Sequence, residues 1–422
     1  MSKRFLSQLL FATLAVSANL PFKAKFGNRP APFSIDIDPS FIEETRVKAS
    51  LARIAIDLVQ HVPQDGPPSQ NVTAIKDYWT HSYNWNETQK RLNNHLPQFT
   101  TTIDGAGNYS HPIPLHFVHR QSSRKDAIPL LFVHGYPGSI IEVERVIDGY
   151  TNPPSNETAF HVVAPSLPGF GFSPAPEYPG LGLRESGQAF HKLMLQLGYN
   201  KYIVHGGDLG SHTIRYMAID QPESVRALHT NLWYQVPNQQ DMNNFNAKNS
   251  TAEESFLINV LATFRMTLLG QRQVFENEPL QWAYAATDSP VGCAAWIFGE
   301  LIGGSPSYDW TLDEIITWTM MLYIQGPFGS ARMYKELSDK THGLASLTTF
   351  TSQWASLNLP SKASSRSVKC PEDWARRQGN IVFFNHYSSG GHFASWDSPT
   401  ELVADAREFI KPGTAAWDAY HK

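Results

Sequence analysis

One acidic residue, Asp208, stands where the chain can expose a side chain for chemistry. The apolar run Tyr202–Val204 predicts a short buried strand, and a helical pattern begins at His212. Between them the chain reads Gly206-Gly-Asp-Leu-Gly210, and these glycines allow a turn too sharp for bulky side chains. Strand, tight turn and helix in this order predict a nucleophile elbow with Asp208 at its tip.

The residue type at the elbow restricts the reaction. A carboxylate attacks saturated carbon and forms an alkyl ester, which water then cleaves. Opening of an epoxide and displacement of a halide both fit this chemistry. Enzymes that displace halide usually carry an indole directly after the nucleophile, whereas this chain has Leu209, which disfavours that reaction. A plain Gly-Asp-Gly surface turn is the alternative interpretation of the segment.

Two further motifs follow predicted strands. His134-Gly-Tyr-Pro-Gly-Ser139 follows the strand Leu130–His134, and Gly390-Gly-His-Phe393 follows the strand Asn380–Asn385. The carboxyl ends of parallel strands gather at one edge of a sheet, so we expect both motifs to lie beside Asp208. His392 is then a candidate general base, although a lone histidine more often serves a structural role.

The periodicity of the chain predicts an α/β fold. Strands alternate with helices, which indicates a mostly parallel sheet with helices on both faces. The alternation stops at 233–347, where Glu253–Gly270 and Leu312–Met321 are apolar at helical spacing and predict a helical lid. The core is therefore expected at 126–232 and 348–422. Its other predicted strands are Leu115–His119, Phe160–Ala164, Val225–His229 and Leu357–Pro360.

The N-terminal part, 32–125, is predicted to form an extension packed on the core. Ser40-Phe-Ile-Glu43 has the form of a capping box at the start of a helix. Four apolar residues then recur at helical spacing and predict a helix with one buried face: Val47, Leu51, Ile54 and Leu58. Shorter helices are predicted at Ile75–Trp79 and Asn86–Leu92.

The composition is that of a globular enzyme. The chain has 422 residues, of which 41% are hydrophobic and 17% charged, so it can bury a large core. Its net charge of −4 gives no reason to expect a nucleic-acid partner. Cys293 and Cys370 are too few for a disulfide framework and too far apart to suggest a metal site. We therefore expect neither a metal nor an organic cofactor.

Residues 1–18 have two open interpretations. Two basic residues, an apolar stretch and Ala15-Val-Ser-Ala18 form a signal peptide, which predicts a secreted glycoprotein. A short interfacial helix that attaches the protein to a membrane surface is the alternative. The stretch is too short to predict a transmembrane anchor. Five glycosylation sequons are compatible with secretion: Asn71, Asn86, Asn108, Asn156 and Asn249.

Several stretches together resemble the microsomal-type epoxide hydrolases, which are α/β-hydrolases with an N-terminal extension. The resemblance covers roughly Pro32 to Ile410. In the extension the matching stretches are Asp77-Tyr-Trp79, Tyr83-Asn-Trp85, Leu92-Asn93, Pro97-Gln-Phe99 and Leu115–His119. In the core and the lid they are His134–Ser139, Gly206-Gly-Asp208, Asp288–Gly292, Tyr334-Lys-Glu336 and Gly390–Phe393.

The resemblance implies a role for each of five residues. Asp208 looks like the nucleophile that becomes alkylated, and His392 looks like the base that activates water against the ester. The backbone N–H groups of Tyr136 and Leu209 look like an oxyanion hole, which stabilises charge on a tetrahedral intermediate. Tyr334 resembles one of two lid tyrosines that donate a hydrogen bond to the epoxide oxygen, a role that suits a protonated phenol.

The chain departs from the family pattern at the second lid tyrosine. The region that should carry it reads Gly270-Gln-Arg-Gln-Val-Phe-Glu-Asn-Glu-Pro279 and contains no tyrosine. Gln271 and Gln273 are candidate substitutes, and Tyr284 lies nearby, but none of the three matches the pattern. A missing donor at the leaving oxygen is expected to weaken ring opening.

A second departure concerns the acid that orients the histidine. The resemblance places it among Ser365–Lys369, where the only charged residues are basic. A cation there cannot stabilise an imidazolium and would depress the pKa of the histidine. Glu372 and Asp373 are the nearest carboxylates and are expected to start a helix. Asp373 or Asp397 could replace the missing acid only through an unusual path of the loop.

The function that fits these residues is hydrolysis of an epoxide of a large apolar substrate, such as a secondary metabolite, through an ester with Asp208. The alternative is a repurposed pocket that directs cyclisation or isomerisation in natural-product biosynthesis without net hydrolysis. A binding protein is disfavoured, because binding alone does not require Asp208, His392 and Tyr334. Four tryptophans of the lid favour a large apolar substrate: Trp282, Trp296, Trp310 and Trp318.

Overall fold

One β-sheet carries the elements that position the candidate site. The structure is a computed structural model that describes residues 20–422 apart from 234, 268, 339–352, 359–369 and 388. In chain order the strands are β1 (Ala31–Phe33), β2 (Gln98–Ala106), β3 (Tyr109–Arg120), β4 (Ile128–Val133), β5 (Phe160–Pro165), β6 (Tyr202–Gly206), β7 (Val225–Thr230), β8 (Gln353–Asn358) and β9 (Asn380–His386). Within the described residues, these nine strands lie in the order β1-β2-β3-β5-β4-β6-β7-β8-β9.

Helices follow β1, connect the later strands and close the chain. The helices before β7 are α1 (Pro39–Leu51), α2 (Ser69–His81), α3 (Trp85–His95), α4 (Ile141–Glu144), α5 (Ile147–Thr151), α6 (Leu183–Gln196) and α7 (Asp208–Asp220). Those between β7 and β8 are α8 (Gln239–Asn246), α9 (Ala252–Thr267), α10 (Leu269–Asn277), α11 (Pro279–Asp288), α12 (Pro290–Gly304), α13 (Leu312–Tyr323) and α14 (Phe328–Ser338). The last are α15 (Glu372–Arg376), α16 (Ala394–Asp397), α17 (Pro399–Phe409) and α18 (Ala415–His421).

The larger part of the sheet is parallel. β1, β2 and β3 pair antiparallel, and β3 is antiparallel to β5. In the rest of the sheet the strands lie in the order β5, β4, β6, β7, β8 and β9, and each of them pairs parallel with the next. β4 and β6 are buried along their whole length, as expected for central parallel strands that are covered on both faces. The predicted α/β architecture with a mostly parallel sheet is confirmed.

The described residues between β7 and β8 form helices and no strand. This agrees with the helices predicted at Glu253–Gly270 and Leu312–Met321, while the last part of the predicted lid, 339–347, lies outside the described residues. Local capping fixes where two of these helices begin. Ser289 accepts from the backbone of α12, and Thr311 forms a capping box with Glu314 at the start of α13.

The first helix differs from its prediction. Its N-cap is Asp38, whose Oδ1 accepts from the backbone N–H of Ser40 at 2.8 Å, so Ser40 is not the capping residue. The helix ends at Leu51, because Ala52 adopts an extended conformation, and it buries Thr45 and Ala49 instead of the large apolar residues. Small residues allow close packing against α2, and tertiary contact overrides the apolar period here. Val47, Leu51 and Leu58 are exposed, Leu51 at 76%.

Further expectations concern the sequons, the cysteines, a metal site and a membrane span. All five sequon asparagines are exposed, and Cys293 and Cys370 are free and buried. In the described part of the chain, no group of three or more His, Cys, Asp or Glu side chains is arranged to hold a metal ion. No helix among the described residues is long and apolar enough to span a membrane.

Candidate active site

Asp208 lies at the tip of a strand–turn–helix unit. β6 ends at Gly206 and α7 begins at Asp208, whose φ of +47° lies in the left-handed region that side chains other than glycine rarely adopt. Crowding explains the flanking glycines. A Cβ at Gly206 would lie 2.6 Å from the backbone of Gly210, and one at Gly210 would lie 2.1 Å from the carbonyl oxygen of Val133. The predicted elbow is present, with backbone strain of the kind that collects at functional sites.

Two backbone N–H groups face the carboxylate of Asp208. The N–H of Tyr136 donates to Oδ1 at 2.8 Å, and the N–H of Leu209 also hydrogen-bonds the carboxylate. Gly135 permits this approach, because a Cβ there would lie 2.3 Å from Asp208 Cβ. His134 fixes the same loop: its Nδ1 lies 2.9 Å from the carbonyl oxygen of Gly135, and its Nε2 accepts a backbone N–H of the next loop at 3.1 Å. This arrangement suits an oxyanion hole.

His392 faces the second carboxylate oxygen of Asp208. Its Nε2 lies 3.3 Å from Asp208 Oδ2, and its side chain is 15% exposed. Two contacts fix its backbone: the N–H of His392 donates to the carbonyl oxygen of Gly304 in α12 at 3.0 Å, and Asn231 Nδ2 donates to the carbonyl oxygen of His392 at 3.1 Å. The loop after β9 thus brings a base within reach of the nucleophile.

Burial and charge set the ionisation of the reacting groups. Burial raises the pKa of Asp208, but hydrogen bonding and charge from His392 and hydrogen bonds from the Tyr136 and Leu209 amides outweigh it, so the pKa lies below its ordinary value. Burial and then the charge of Asp208 raise the pKa of Tyr334 well above its ordinary value. At neutral pH the site therefore combines an ionised carboxylate with a protonated phenol.

The lid side of the site is aromatic. Tyr334 in α14 packs edge-on against Tyr136 with the ring centroids 5.6 Å apart. Phe275 in α10 contacts both tyrosine rings, with 5.5 Å between centroids in each case. It also contacts Trp282 at 4.7 Å and Trp296 at 5.4 Å. We term these five rings the lid cluster.

The other two lid tryptophans belong to a different cluster. Trp310 and Trp318 lie 5.3 Å apart, and Trp318 packs edge-on against Phe393 at 5.0 Å and Trp396 at 5.5 Å. These rings join the lid to the loop that carries His392. Four tryptophans favoured an apolar substrate. Two of them, Trp310 and Trp318, therefore pack near the loop that carries His392, and Trp282 and Trp296 belong to the lid cluster.

The expected position of a second lid donor is occupied by an apolar ring. Phe275 is fully buried beside Tyr334. Gln271 is partly buried one helical turn before it, and Gln273 is exposed on α10. Tyr284 is 71% exposed, so it does not serve as the missing donor. Tyr334 is therefore the lid tyrosine whose pKa responds to the charge of Asp208, and the second tyrosine of the family pattern is absent, as the sequence indicated.

The resemblance places the acid that would orient His392 at Ser365–Lys369. These residues lie outside the part of the chain that the structure describes. Asp373 lies in the first turn of α15, as predicted, but it is exposed. Asp397 is partly buried at the end of α16 and accepts a hydrogen bond from the N–H of Gly391. Burial raises the pKa of Asp397, and the charge of His392 opposes this shift. Asp397 therefore positions the loop that precedes the base.

Three charged or polar residues at the site were not found from the sequence. Glu142 in α4 is buried behind the elbow, and Asn231 follows β7 and holds the His392 backbone. Arg272 in α10 acts through its charge on the pKa of Tyr334. Glu142 is an acid within the apolar start of a helix, and that signal could have marked it. Asn231 and Arg272 carry no comparable local signal.

Comparisons with known proteins agree with this fold. A family model for the epoxide hydrolase N terminus matches 30–143, and a model for the alpha/beta hydrolase fold matches 128–290. Epoxide hydrolase 1 of Sus scrofa is 28% identical over 427 residues, which cover 91% of this chain and 91% of that protein. The solved structure of Aspergillus niger epoxide hydrolase matches with a TM-score of 0.78 at 25% identity, over 92% of this chain and 98% of that one.

An insect structure shares the same fold. The crystal structure of juvenile hormone epoxide hydrolase from the silkworm Bombyx mori matches with a TM-score of 0.80 at 24% identity and covers 97% of each chain. The two family models together span 30–290, from the extension into the lid. The protein is therefore an epoxide hydrolase-like enzyme with the α/β-hydrolase fold, and it is similar to the microsomal-type epoxide hydrolases in joining an N-terminal extension to that fold.

Proposed function

We propose that this enzyme converts an epoxide of a large apolar molecule to a diol through an ester with Asp208. The observation that supports this most directly is the environment of the carboxylate. Oδ1 accepts from the amide of Tyr136 at 2.8 Å, and Oδ2 lies 3.3 Å from His392 Nε2. One oxygen is thus held in an oxyanion hole while the other is held beside a base.

Ring opening uses both sides of the site. Asp208 Oδ2 attacks one epoxide carbon, the bond from that carbon to the epoxide oxygen breaks, and Tyr334 gives its proton to the released oxygen. The products are a hydroxyalkyl ester of Asp208 and a phenolate. Burial and the charge of Asp208 keep the pKa of Tyr334 high, so the phenol retains its proton until an alkoxide forms.

Ester hydrolysis uses the core side. His392 removes a proton from water, and the hydroxide attacks Cγ of Asp208. The negative charge that develops on Oδ1 is stabilised by the N–H groups of Tyr136 and Leu209. The ester bond then breaks, the diol oxygen takes the proton from the imidazolium, and the acid proton of Asp208 returns to the Tyr334 phenolate through solvent.

The proposed substrate is apolar and bulky. Phe275 packs against Tyr334, and Trp282 and Trp296 pack against Phe275; aromatic rings of this kind favour contact with extended apolar surfaces. The relative from Bombyx mori is named for juvenile hormone, and we extend to this chain only the class of apolar epoxide. A secondary metabolite is one such substrate. Cyclisation or isomerisation without hydrolysis is not favoured, because a base stands beside the nucleophile and the relatives are hydrolases.

Secretion remains part of the proposal. The signal-like residues 1–18 support it, and the five exposed sequon asparagines are accessible for glycosylation. Attachment to a membrane surface through the same N-terminal residues is the competing expectation. Mass measurement of the protein secreted by a eukaryotic host, before and after enzymatic removal of glycans, distinguishes the two.

A single-turnover experiment tests the ester mechanism. The enzyme, in excess over trans-stilbene oxide, is mixed in water enriched in ¹⁸O, quenched and analysed by mass spectrometry. We expect a covalent adduct on Asp208 at early times and then ¹⁸O in the side chain of Asp208, with none in the diol of the first turnover. Label that appears directly in the diol would show that water attacks the epoxide and would refute the ester.

A further inference from the structure

A small cavity lies behind the nucleophile. Its volume is about 10 Å³, and its polar lining consists of Glu142, Asp208, Asn231, His392, Ser395 and His205. About 10 to 15 Å³ of such space accommodates one water molecule, and a water needs two to four polar partners. The cavity meets both conditions. It also lies on the side of Asp208 that His392 faces.

Glu142 is the acidic wall of this cavity. It is 9% exposed and lies in α4, the helix that follows the loop of Tyr136. Gly135 N–H donates to its Oε1 at 3.5 Å, and Ser395 Oγ donates to its Oε2 at 3.5 Å. Both distances are at the upper limit for hydrogen bonds, so the carboxyl group keeps capacity to accept another donor. Among the described residues Glu142 forms no ion pair.

The neighbouring acid on the same helix provides a contrast. Glu144 is equally buried, but Arg91 pairs with it, and it does not line the cavity. A buried carboxylate normally requires such a partner. Burial raises the pKa of Glu142 to about 7, while the Gly135 N–H and the charge of His392 oppose the shift. Within the described part of the chain, Glu142 therefore lacks the ion pair that Glu144 has, and it lines the cavity beside Asp208.

We propose that Glu142 is a second catalytic residue of the ester-hydrolysis step, which binds the hydrolytic water in this cavity and orients it toward Cγ of Asp208. His392 Nε2 takes one proton of that water, and Glu142 accepts a hydrogen bond from the other O–H. The lone pair of the water oxygen then points at the ester carbon. The ester bond breaks and the diol oxygen receives the imidazolium proton as described above. This inference rests on the proposed ester mechanism.

The partition between the two half-reactions tests it. Glu142→Gln keeps the shape of the side chain but removes its charge and one acceptor. Quenched-flow measurements with trans-stilbene oxide should give ester formation within a factor of about 2 of wild type and ester decay slowed about 10- to 100-fold, so that adduct accumulates. Glu144→Gln is the matched control, because it removes a buried carboxylate from the same helix. It should reduce stability and leave both rates unchanged.

The remaining outcomes separate this inference from the mechanism on which it depends. If wild type forms no ester, the proposed function fails. If wild type forms the ester and Glu142→Gln breaks it down at the wild-type rate, or loses both rates in parallel, only the inference about Glu142 fails. Glu142→Asp covers the case in which the glutamine variant does not fold. Its shorter side chain keeps the charge but withdraws from the cavity, and it should likewise slow ester decay alone.

Discussion

The core side and the lid side of the site are built in different ways. On the core side, the carboxylate of Asp208 accepts from two backbone amides and faces His392, and the loop of His392 is itself held by Asn231. On the lid side, Tyr334 packs against the rings of Phe275 and Tyr136. The core side is a network of polar contacts, whereas the lid side is a packed aromatic cluster that carries the Tyr334 phenol.

Under the proposed ester mechanism, this difference places the two half-reactions in different parts of the fold. Ester hydrolysis would use His392 as the base, the Tyr136 and Leu209 amides as the oxyanion hole and the small cavity beside them, and all three lie on the core side. Ring opening needs the nucleophile from the core and a proton donor from the lid. Variants on the core side should therefore affect both steps or hydrolysis alone, and variants on the lid side should affect ring opening alone.

The largest effect is expected for Asp208→Asn. The substitution removes the charge of the attacking oxygen and leaves the elbow backbone in place, so turnover should fall by about 10⁴-fold or more, as it does when members of a catalytic triad are removed. The initial rate of diol formation measures it. Asp220→Asn is the control, because Asp220 closes the same helix in an ion pair with Arg184 away from the site. If Asp208→Asn retained activity near that of wild type, Asp208 would not be the nucleophile.

Stability on the core side should depend on pH. Burial lowers the pKa of His134 to about 4, of His212 to about 3 and of His229 to about 3. Below pH 6.5 the unfolded chain binds protons that the folded protein does not, so the free energy of unfolding falls as the pH drops from 6.5 toward 4. Each histidine contributes up to about 1.4 kcal/mol per pH unit.

Urea unfolding at neutral and mildly acidic pH measures the slope of the free energy of unfolding against pH. His229→Asn should flatten it, because the substitution removes one histidine whose pKa is lowered by burial. Equal unfolding midpoints at pH 7 and pH 5 in wild type would show that these buried histidines are not neutral in the folded protein.

Tyr334→Phe tests the lid side. Loss of a donor to developing negative charge costs about 10²- to 10³-fold in comparable sites, so ester formation should slow by about that factor while ester decay is unchanged. Single-turnover alkylation with trans-stilbene oxide separates the two rates. Tyr323→Phe is the matched control, because that lid phenol donates to the carbonyl oxygen of Thr287 instead of facing Asp208. Equal alkylation rates in wild type and Tyr334→Phe would remove Tyr334 from the mechanism.

The same contrast explains what could be predicted from the sequence. The elbow was predictable because its glycines and apolar strand lie within ten residues, and the steric demand on them is local. The register of α1 was not, because the helix packs against α2 and buries Thr45 and Ala49 rather than its large apolar residues. Glu142 acquires its role only when the β4 loop and the His392 loop meet across the sheet edge.

The smallest expected effect concerns the position where the chain lacks a second lid tyrosine. Phe275 is buried against Tyr334, with 5.5 Å between ring centroids, so Phe275→Tyr adds one hydroxyl group to the lid cluster. If that hydroxyl reaches the epoxide oxygen, one further hydrogen bond of about 1 kcal/mol should speed ester formation about 5-fold and leave ester decay unchanged. Phe275→Leu, which loses the ring and gains no donor, should not accelerate either step. An acceleration shared by both variants would mean that relief of packing, rather than the added donor, governs ring opening, and a Phe275→Tyr variant slower than wild type would show that the aromatic wall itself binds the substrate.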